Sequence, residues 1–170
     1  KDLHLLSAKP VIYIFNVDES TMADDDKKAE LENLVKPNKA TFICAKLEEE
    51  LKDLSEEEAM ELLESYGVKE TGLDQVIHAA YDILGLQSYL TAGDKEIHAW
   101  TIKKGWTAPQ AAGVIHTDFE KGFIRAKVVS YDEFIKNSGW KMSQENGVLR
   151  LEGKDYIVQD GDLMEFLFNV

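Results

Sequence analysis

The first half of the chain alternates short apolar runs with segments of helical periodicity. Residues 11–15 (V-I-Y-I-F) form a continuous apolar run behind Pro10, a pattern typical of a strand covered on both faces. Residues 41–45 predict a second buried strand. Between them, the acidic cluster at residues 24–26 suits the positive end of a helix that runs to about Val35.

Three further helices are predicted before Gly85. Leucines at helical spacing indicate the first at residues 47–54, and Ser55 with Glu58 forms a capping-box pattern for the second, which Gly67 can end. The third has an apolar face and ends at Gly85. That face consists of Leu73, Val76, Ile77, Ala80, Tyr81 and Leu84. Strands that alternate with helices indicate part of a parallel α/β sheet.

After Gly85 the periodicity changes to short strands with few helices. Residues 87–92 and 96–102 flank Gly93-Asp94 and predict a hairpin. Thr107 can cap a short helix that ends near His116. The other predicted elements are strands at residues 123–129, 148–152, 155–159 and 163–170 and a helix from Ser130 to about Lys136. This pattern fits a compact α+β domain, so we expect two domains, residues 1–85 and 86–170.

Composition places limits on the class of protein. The chain has 170 residues, 44% of them hydrophobic and 30% charged, which is ordinary for a globular protein with room for one or two small domains. Its longest apolar run is too short to span a bilayer, and the first residues do not form a signal peptide. The single cysteine, Cys44, excludes an internal disulfide and suits a reducing compartment. We therefore expect a cytoplasmic protein without a membrane or disulfide partner.

The net charge of −13 is unevenly distributed. Residues 1–85 contain 9 basic and 20 acidic groups, whereas residues 95–127 contain six basic and three acidic ones. An acidic protein does not attract nucleic acid through its bulk charge, but a local basic face can do so. The alternative is that these basic residues form only a solvated surface.

Four segments together resemble one known family. They are N-V-D-E at residues 16–19, A-P-Q-A-A-G at 108–113, H-T-D-F-E-K-G-F-I-R-A at 116–126 and D-G-D-L-M-E-F at 160–166. They resemble the YchF family of Obg-related P-loop ATPases, and the resemblance covers nearly the whole chain as the back half of the family's protein. It implies the rear part of a P-loop NTPase parallel sheet, followed by a small α+β TGS domain of β-grasp (ubiquitin-like) fold. Residues 140–143 depart from the family's pattern, which leaves a helix between Gly139 and Gly147 open.

Asn16 follows a predicted buried strand, at the edge where open parallel sheets bind ligands. An asparagine amide can donate to adenine N7 and accept from the N6 amino group. GTPases have N-K-x-D at this place, and this chain has Val17 for the lysine and Glu19 for the aspartate. The longer carboxylate fits guanine less well, so the residues favour adenine, although such a run can also be a plain turn.

Residues 44–46 (C-A-K) end the second predicted strand and resemble the family's S/C-A-x-x-E loop, whose backbone contacts the base. Cys44 can at the same time be a small buried core residue, with Ala45 and Lys46 beside the nucleotide. No G-x-x-x-x-G-K-[ST] motif occurs, so no catalytic residue is assigned and this chain alone is predicted to be inactive. The resemblance implies that the full-length protein hydrolyses ATP with Mg²⁺, and GTP more weakly, while this chain alone holds no metal.

Aromatic and basic residues alternate in the second half, an arrangement that can stack and hold single-stranded RNA. We expect Phe123 to be buried and Trp106 to be exposed. The candidate RNA or ribosome contacts are Lys103, Lys104, Trp106, His116, Lys121 and Arg125. The resemblance supports ribosomal RNA or the ribosome as the partner. The main alternative is a non-enzymatic ubiquitin-like module that binds proteins; an unrelated small enzyme has no catalytic constellation to support it.

Overall fold

The computed structural model describes Leu5, residues 9–93 and residues 96–169. Asp94 of the predicted hairpin turn, Lys95 of the basic segment and Val170 at the end of the last predicted strand lie outside these described residues. Contacts divide the chain between Leu84 and Gly85 into two compact units. Within the described part of the chain, no helix is both long enough and apolar enough to cross a membrane.

The described part of the first unit consists of a two-stranded parallel sheet and five helices. Its elements are β1 (Ile12–Asn16), α1 (Glu19–Met22), α2 (Asp25–Val35), β2 (Lys39–Ile43), α3 (Ala45–Leu51), α4 (Glu56–Ser65) and α5 (Gly72–Leu84). Phe15 of β1 lies opposite Phe42 of β2, and their rings stack with centroids 5.5 Å apart. The buried core of this unit consists of Met22, Phe42, Cys44, Leu47, Leu63 and Val68.

The prediction that β1 is covered on both faces is wrong for this chain. Tyr13 and Ile14, which point to opposite faces of the strand, are 42% and 48% exposed. The apolar face of α5 is also partly open, with Leu73 65% exposed. An apolar run favours a strand whether or not other elements pack on its faces. The burial of those faces depends on tertiary neighbours. Among the described residues, β1 has one strand partner, β2.

The second predicted strand is displaced toward its N-terminal side. It spans Lys39–Ile43, and the backbone of Cys44 forms the N-cap of α3, so residues 44 and 45 belong to the loop and helix instead. The predicted capping box is confirmed, since Ser55 and Glu58 exchange side-chain hydrogen bonds with backbone N–H groups. Gly67, with φ of +70°, follows α4 in the left-handed conformation that glycine adopts without a steric cost.

The second unit is a five-stranded mixed sheet with short helices. Its elements are β3 (Leu86–Ala92), β4 (Ile97–Lys103), α6 (Ala108–Ile115), α7 (Thr117–Lys121), β5 (Phe123–Ser130), α8 (Tyr131–Lys136), α9 (Trp140–Glu145), β6 (Arg150–Glu152) and β7 (Asp162–Phe168). The strand order is β4-β3-β7-β5-β6, in which β3 and β7 are parallel and the other neighbours antiparallel. The predicted hairpin is therefore confirmed as β3 and β4.

The core of this unit lies between α6 and one face of the sheet. Small side chains on α6, including Ala108 and Ala111, are fully buried and allow the helix to approach the strands closely. The Tyr89 hydroxyl, also buried, donates to the Ala111 carbonyl at 3.0 Å. Burial raises the pKa of the Tyr89 phenol well above its usual value. Phe123 is 3% exposed, which confirms its predicted place in the core.

One local prediction is wrong, and the structure adds two short helices that the sequence did not establish. Residues 155–159 do not form a strand: one isolated bridge joins Ile157 to Thr107, and the Val158 N–H donates to the Trp106 carbonyl. Val158 is buried in the core, although its segment does not join the sheet. The apolar pattern of the segment thus reflects core packing and not a strand. The helix α7 was not predicted, since it has only five residues. The segment left open between Gly139 and Gly147 does form a helix, α9, and the Trp140 indole N–H donates to the Ala92 carbonyl.

Gly122, inside the H-T-D-F-E-K-G-F segment, has a packing role. A Cβ atom at this position would lie against the backbone carbonyl of Asn169 and 3.2 Å from the Asp118 carbonyl oxygen. The chain passes so close because the Asn169 N–H donates to the Gly122 carbonyl at 2.9 Å. The glycine therefore allows the end of the chain to close over the turn between α7 and β5.

We predict that Gly122→Ala lowers the free energy of unfolding by about 2–4 kcal/mol, because backbone on both sides of the added methyl group must move. Urea denaturation followed by tryptophan fluorescence measures this loss. Gly153→Ala is the matched control, since nothing lies within 4 Å of a Cβ atom there. Equal midpoints for the two variants would contradict the packing role of Gly122.

Candidate functional site

The loop after β1 has a fixed shape. The Val17 N–H donates to the Ile43 carbonyl at 2.8 Å, which extends the pairing of β1 and β2 by one residue beyond Asn16. The Asp18 carboxylate then accepts from the Thr21 N–H at 2.8 Å and from the Ser20 hydroxyl at 2.9 Å, so Asp18 is the N-cap of α1. Asn16 and Glu19 are thus held on either side of this cap.

A side-chain hydrogen bond joins this loop to the loop after β2. The Ala45 N–H donates to Asn16 Oδ1 at 3.1 Å. Ala45 is the first residue of α3, where backbone N–H groups have no partner within the helix. Asn16 satisfies one of these groups and brings the two segments singled out in the sequence together at the carboxyl ends of both strands. Asn16 and Ala45 both remain exposed to solvent.

Glu19 and Lys46 form an ion pair across the same two loops. Lys46 Nζ donates to Glu19 Oε1 at 2.7 Å, while Glu50 lies farther from the ammonium group at 4.0 Å. The hydrogen bond from Lys46 lowers the pKa of Glu19, and the same bond raises the pKa of Lys46. Both groups are therefore charged near neutral pH, and the edge presents a cation and an anion side by side.

Buried contacts behind these loops fix α3 in place. Cys44 is 3% exposed and lies in the core, which confirms its packing role. Glu48 Oε1 accepts the Gly72 N–H at 2.6 Å, and a Cβ atom at Gly72 would lie 2.8 Å from Ile43 Cγ2. The start of α5 therefore packs tightly against β2 and α3, so the first turn of α3 cannot shift independently.

The six candidate contact residues of the second unit fall into two groups. Lys103 ends β4, and Lys104 and Trp106 follow it in the turn before α6. His116 and Lys121 lie at the two ends of α7, and Arg125 lies on β5. Because Ile102 and Ala126 point into the core, their neighbours Lys103 and Arg125 point to the opposite face of the sheet.

The register places these two groups far apart. Lys103 is paired with Leu86 at the start of β3, whereas Arg125 is paired with Leu167 near the end of β7. Since β3 and β7 run parallel with Leu90 opposite Leu163, the two basic residues differ by roughly 26 Å along the strands and about 14 Å across them. The sequence could not show this separation, which arises from strand order.

Trp106 is not the exposed aromatic residue that the sequence predicts. Its ring packs against the core of the second unit, because the segment around Val158 returns over this turn. His116 also has a structural contact, since its Nδ1 accepts from the Asp118 N–H at 3.2 Å and caps α7.

The second unit contains a cavity of about 550 Å³ that the sequence did not predict. Its described lining includes Trp100, His98, Phe119, Phe166, Glu96 and Glu165. The His98 and Trp100 rings lie 4.1 Å apart, and the Trp100 indole N–H donates to Thr91 Oγ1 at 2.9 Å. His98 and Trp100 alternate along β4, a spacing that places them on one face, but only the fold brings α7 next to them.

The D-G-D segment has structural contacts rather than a metal site. Asp160 Oδ1 accepts the Ser88 N–H at 2.8 Å, and Gly161, with φ of +75°, donates to the Ser88 carbonyl. Asp162 is buried and accepts from the Tyr156 hydroxyl at 2.7 Å. Burial, followed by this hydrogen bond, raises the pKa of Tyr156 to about 12. Within the described residues, no three metal-ligating side chains converge on a metal site.

Comparison with known proteins gives consistent matches. The family model YchF-GTPase_C, described as a protein of unknown function, matches residues 86–169. The chain is 47% identical over 175 residues to a protein of Bacillus subtilis named ribosome-binding ATPase YchF, covering 100% of this chain and 48% of that protein. A protein of the same name from Haemophilus ducreyi is 49% identical over 172 residues, covering 100% of this chain and 47% of that protein. The chain thus spans about half the length of these curated relatives.

Solved structures agree with the fold. The Schizosaccharomyces pombe YchF GTPase superposes with a TM-score of 0.74 at 34% identity, covering 96% of this chain and 44% of that one. A GTP-binding protein from Pyrococcus horikoshii superposes with a TM-score of 0.61, covering 95% of this chain and 46% of that one. Its sequence identity is 20%, so this second likeness concerns the fold alone.

The Asp18 cap leads to a prediction about pH. The hydrogen bond that its carboxylate accepts from the Thr21 N–H lowers the pKa of Asp18 from its ordinary value of 3.8 to about 2. Because the folded-state pKa is depressed, the cap contributes its full stabilisation above the unfolded value and loses it as the pH falls toward 2. We expect the Thr21 amide resonance to titrate with a midpoint near 2, and Asp18→Ala to abolish that titration. A midpoint at or above 3.8 would show that the cap does not form.

Proposed function

Because the chain belongs to the YchF family, we propose that it supplies adenine-base recognition and a ribosome-binding domain to a protein that binds and hydrolyses ATP. The relatives are named ribosome-binding ATPases, which supports both ATP and the ribosome as partners of the whole protein. Such a protein works in the cytoplasm. Residues 1–85 form the rear of its nucleotide-binding domain and residues 86–170 its TGS domain.

The hydrogen bond between Ala45 and Asn16 is the observation that supports this function best. It uses one lone pair of Asn16 Oδ1 and orients the amide, leaving the second lone pair and the Nδ2 donors for a ligand. Among the described residues, no bond to Nδ2 is formed. An adenine whose N7 accepts from Nδ2, and whose N6 amino group donates to Oδ1, matches these remaining positions.

The residues around Asn16 favour adenine over guanine. Val17 lacks the charge of the lysine in N-K-x-D, and Glu19 is engaged by Lys46 at 2.7 Å rather than left alone to accept from guanine N1 and N2. Ala45 offers its backbone at the base edge, while Cys44 packs beneath it. The solved relative from Schizosaccharomyces pombe is named a GTPase, so we place GTP as a weaker ligand and ATP as the preferred one.

Phosphate chemistry belongs to the part of the whole protein that this chain does not span. Phosphoryl transfer requires a phosphate cradle and Mg²⁺, and the sequence contains no P-loop motif. Among the described residues, no three metal-ligating side chains lie close enough together to bind Mg²⁺. We therefore propose that the ion binds together with ATP in the full-length protein. The chain itself orients the base.

The architecture of the second unit supports its assignment as a β-grasp TGS domain. Numbered within the unit alone, the strand order is 2-1-5-3-4, with the first and last strands parallel at the centre. The helix α6 connects the second and third strands and packs on one face of the sheet. A ubiquitin-like sheet of this kind leaves its other face available for a partner.

We place ribosomal RNA contacts at the two basic groups of this unit. The first consists of Lys103 and Lys104, with the partly buried Trp106 following them in the turn, and the second of His116, Lys121 and Arg125. Their separation, roughly 30 Å by strand geometry, matches a partner that extends along the domain rather than a single phosphate. Each lysine or arginine contributes through phosphate neutralisation, which weakens steeply with salt.

The cavity beside Trp100 favours the alternative function, a module that binds proteins. Its described lining is largely apolar and contains no lysine or arginine. Of its two glutamates, Glu165 is paired with Lys127 at 2.9 Å, so Glu96 is the acidic group that repels RNA phosphates and suits a peptide with an apolar anchor and a basic neighbour. Binding through this cavity would depend only weakly on ionic strength, which distinguishes it from RNA binding.

In the full-length protein, Asn16→Ala should weaken ATP binding by about 1–3 kcal/mol, because a bidentate contact to the base is lost. GTP binding should change less, so the preference for ATP should fall. Isothermal titration calorimetry with both nucleotides measures this change. Asn38→Ala is the control, since Asn38 lies in the exposed turn between α2 and β2. Equal ATP affinity for wild type and Asn16→Ala would remove Asn16 from the site.

Charge reversal at one basic group should release the full-length protein from ribosomes. We expect Lys103→Glu with Lys104→Glu to reduce co-sedimentation sharply while the melting temperature changes little, because exposed turn residues tolerate substitution. Lys121→Glu with Arg125→Glu tests the second group separately. Lys141→Glu with Lys154→Glu matches the change in charge at exposed positions outside both groups. If all three variants co-sediment like wild type at every salt concentration, the cavity becomes the favoured contact.

A further inference from the structure

The ion pair between Lys46 and Glu19 occupies a particular place relative to Asn16. Glu19 lies three residues after Asn16, and Lys46 follows Ala45, whose N–H donates to the Asn16 side chain. The 2.7 Å bond between Lys46 and Glu19 therefore crosses the same pair of loops as the bond between Ala45 and Asn16. A base held by the Asn16 amide would therefore bind at the same two loops as this ion pair.

The pair still has unused hydrogen-bonding capacity. An ammonium group has three donors, and Lys46 directs one of them at Glu19 Oε1, with Glu50 beyond hydrogen-bond distance. The Lys46 side chain is 69% exposed and that of Glu19 is 29% exposed. A ligand at this edge can therefore reach both a cationic donor and the second carboxylate oxygen.

Purine bases differ in what they present to such a pair. Adenine has a donor, the N6 amino group, beside an acceptor, N1, whereas guanine has the acceptor O6 beside donors at N1 and N2. A lone carboxylate complements the two guanine donors. A carboxylate next to an ammonium group complements adenine, since the carboxylate accepts from N6 and the ammonium donates to N1. Guanine would instead direct its N1–H at the ammonium group.

We propose that Lys46 is a specificity-determining residue, whose ammonium group, positioned by Glu19, donates to N1 of adenine. The inference rests on the proposed function, in which Asn16 binds N7 and the neighbouring hydrogen of N6. The two assignments are compatible, because N6 has two hydrogens that point to opposite sides of the amino group. Asn16 Oδ1 accepts the N6 hydrogen on the side of N7, and the Glu19 carboxylate accepts the N6 hydrogen on the side of N1.

The test uses 1-deaza-ATP, in which a C–H group replaces N1, and the full-length protein. Wild type should bind ATP about tenfold more tightly than 1-deaza-ATP, since a charge-assisted hydrogen bond is lost with N1. Lys46→Met should bind both nucleotides with equal affinity, and its affinity for GTP should rise because Glu19 becomes available to guanine. Lys46→Arg should restore part of the discrimination. Lys52→Met, at the other end of α3 and exposed, should behave like wild type.

The outcomes separate this inference from the proposed function. If Lys46→Met keeps the wild-type ratio between ATP and 1-deaza-ATP, the role of Lys46 is overturned while ATP binding at Asn16 stands. If wild type does not bind ATP, the proposed function fails and this inference fails with it. Because an exposed ion pair adds little to folding stability, the melting temperature of Lys46→Met should stay unchanged, and the ratios then report on binding and not on unfolding.

Discussion

The hydrogen bond from the Ala45 N–H to Asn16 Oδ1 is the contact on which the candidate site depends. Two parallel strands place their carboxyl ends at one edge, but among the described residues the two loops that follow them form no backbone hydrogen bond to each other beyond Val17. One amide side chain joins these loops and satisfies an N–H group at the start of α3. The Glu19 and Lys46 pair forms across the same two loops, which this bond joins and the Asp18 cap shapes.

In the second unit, the two ends of β7 are held by a different constraint, the close approach of one backbone segment to another. Gly122 accepts from Asn169 where no side chain fits, and Gly161 donates to Ser88 beside the Asp160 contact. These bonds fasten β7, the central strand, at both of its ends. The H-T-D-F-E-K-G-F and D-G-D-L segments, two of those that carry the resemblance in sequence, therefore have a structural explanation in this chain.

The separation of the basic residues affects how the second unit meets a partner. A continuous basic patch could hold one phosphate cluster, whereas two groups at opposite ends of a sheet suit an extended partner. The cavity with Trp100 and Phe119 has neither lysine nor arginine in its described lining. The unit thus presents two chemically different surfaces, one suited to phosphate and one to apolar side chains.

The sequence by itself determined most of the elements, because apolar periodicity, capping residues and glycines act within a few residues of one another. It predicted β1, the capping box at Ser55, the hairpin and the buried Phe123. The tertiary structure decided the rest: the exposure of β1, the partial burial of Trp106 and the distance between Lys103 and Arg125. The reason is physical, since strand order and the covering of a face depend on residues distant in sequence, which local patterns do not specify.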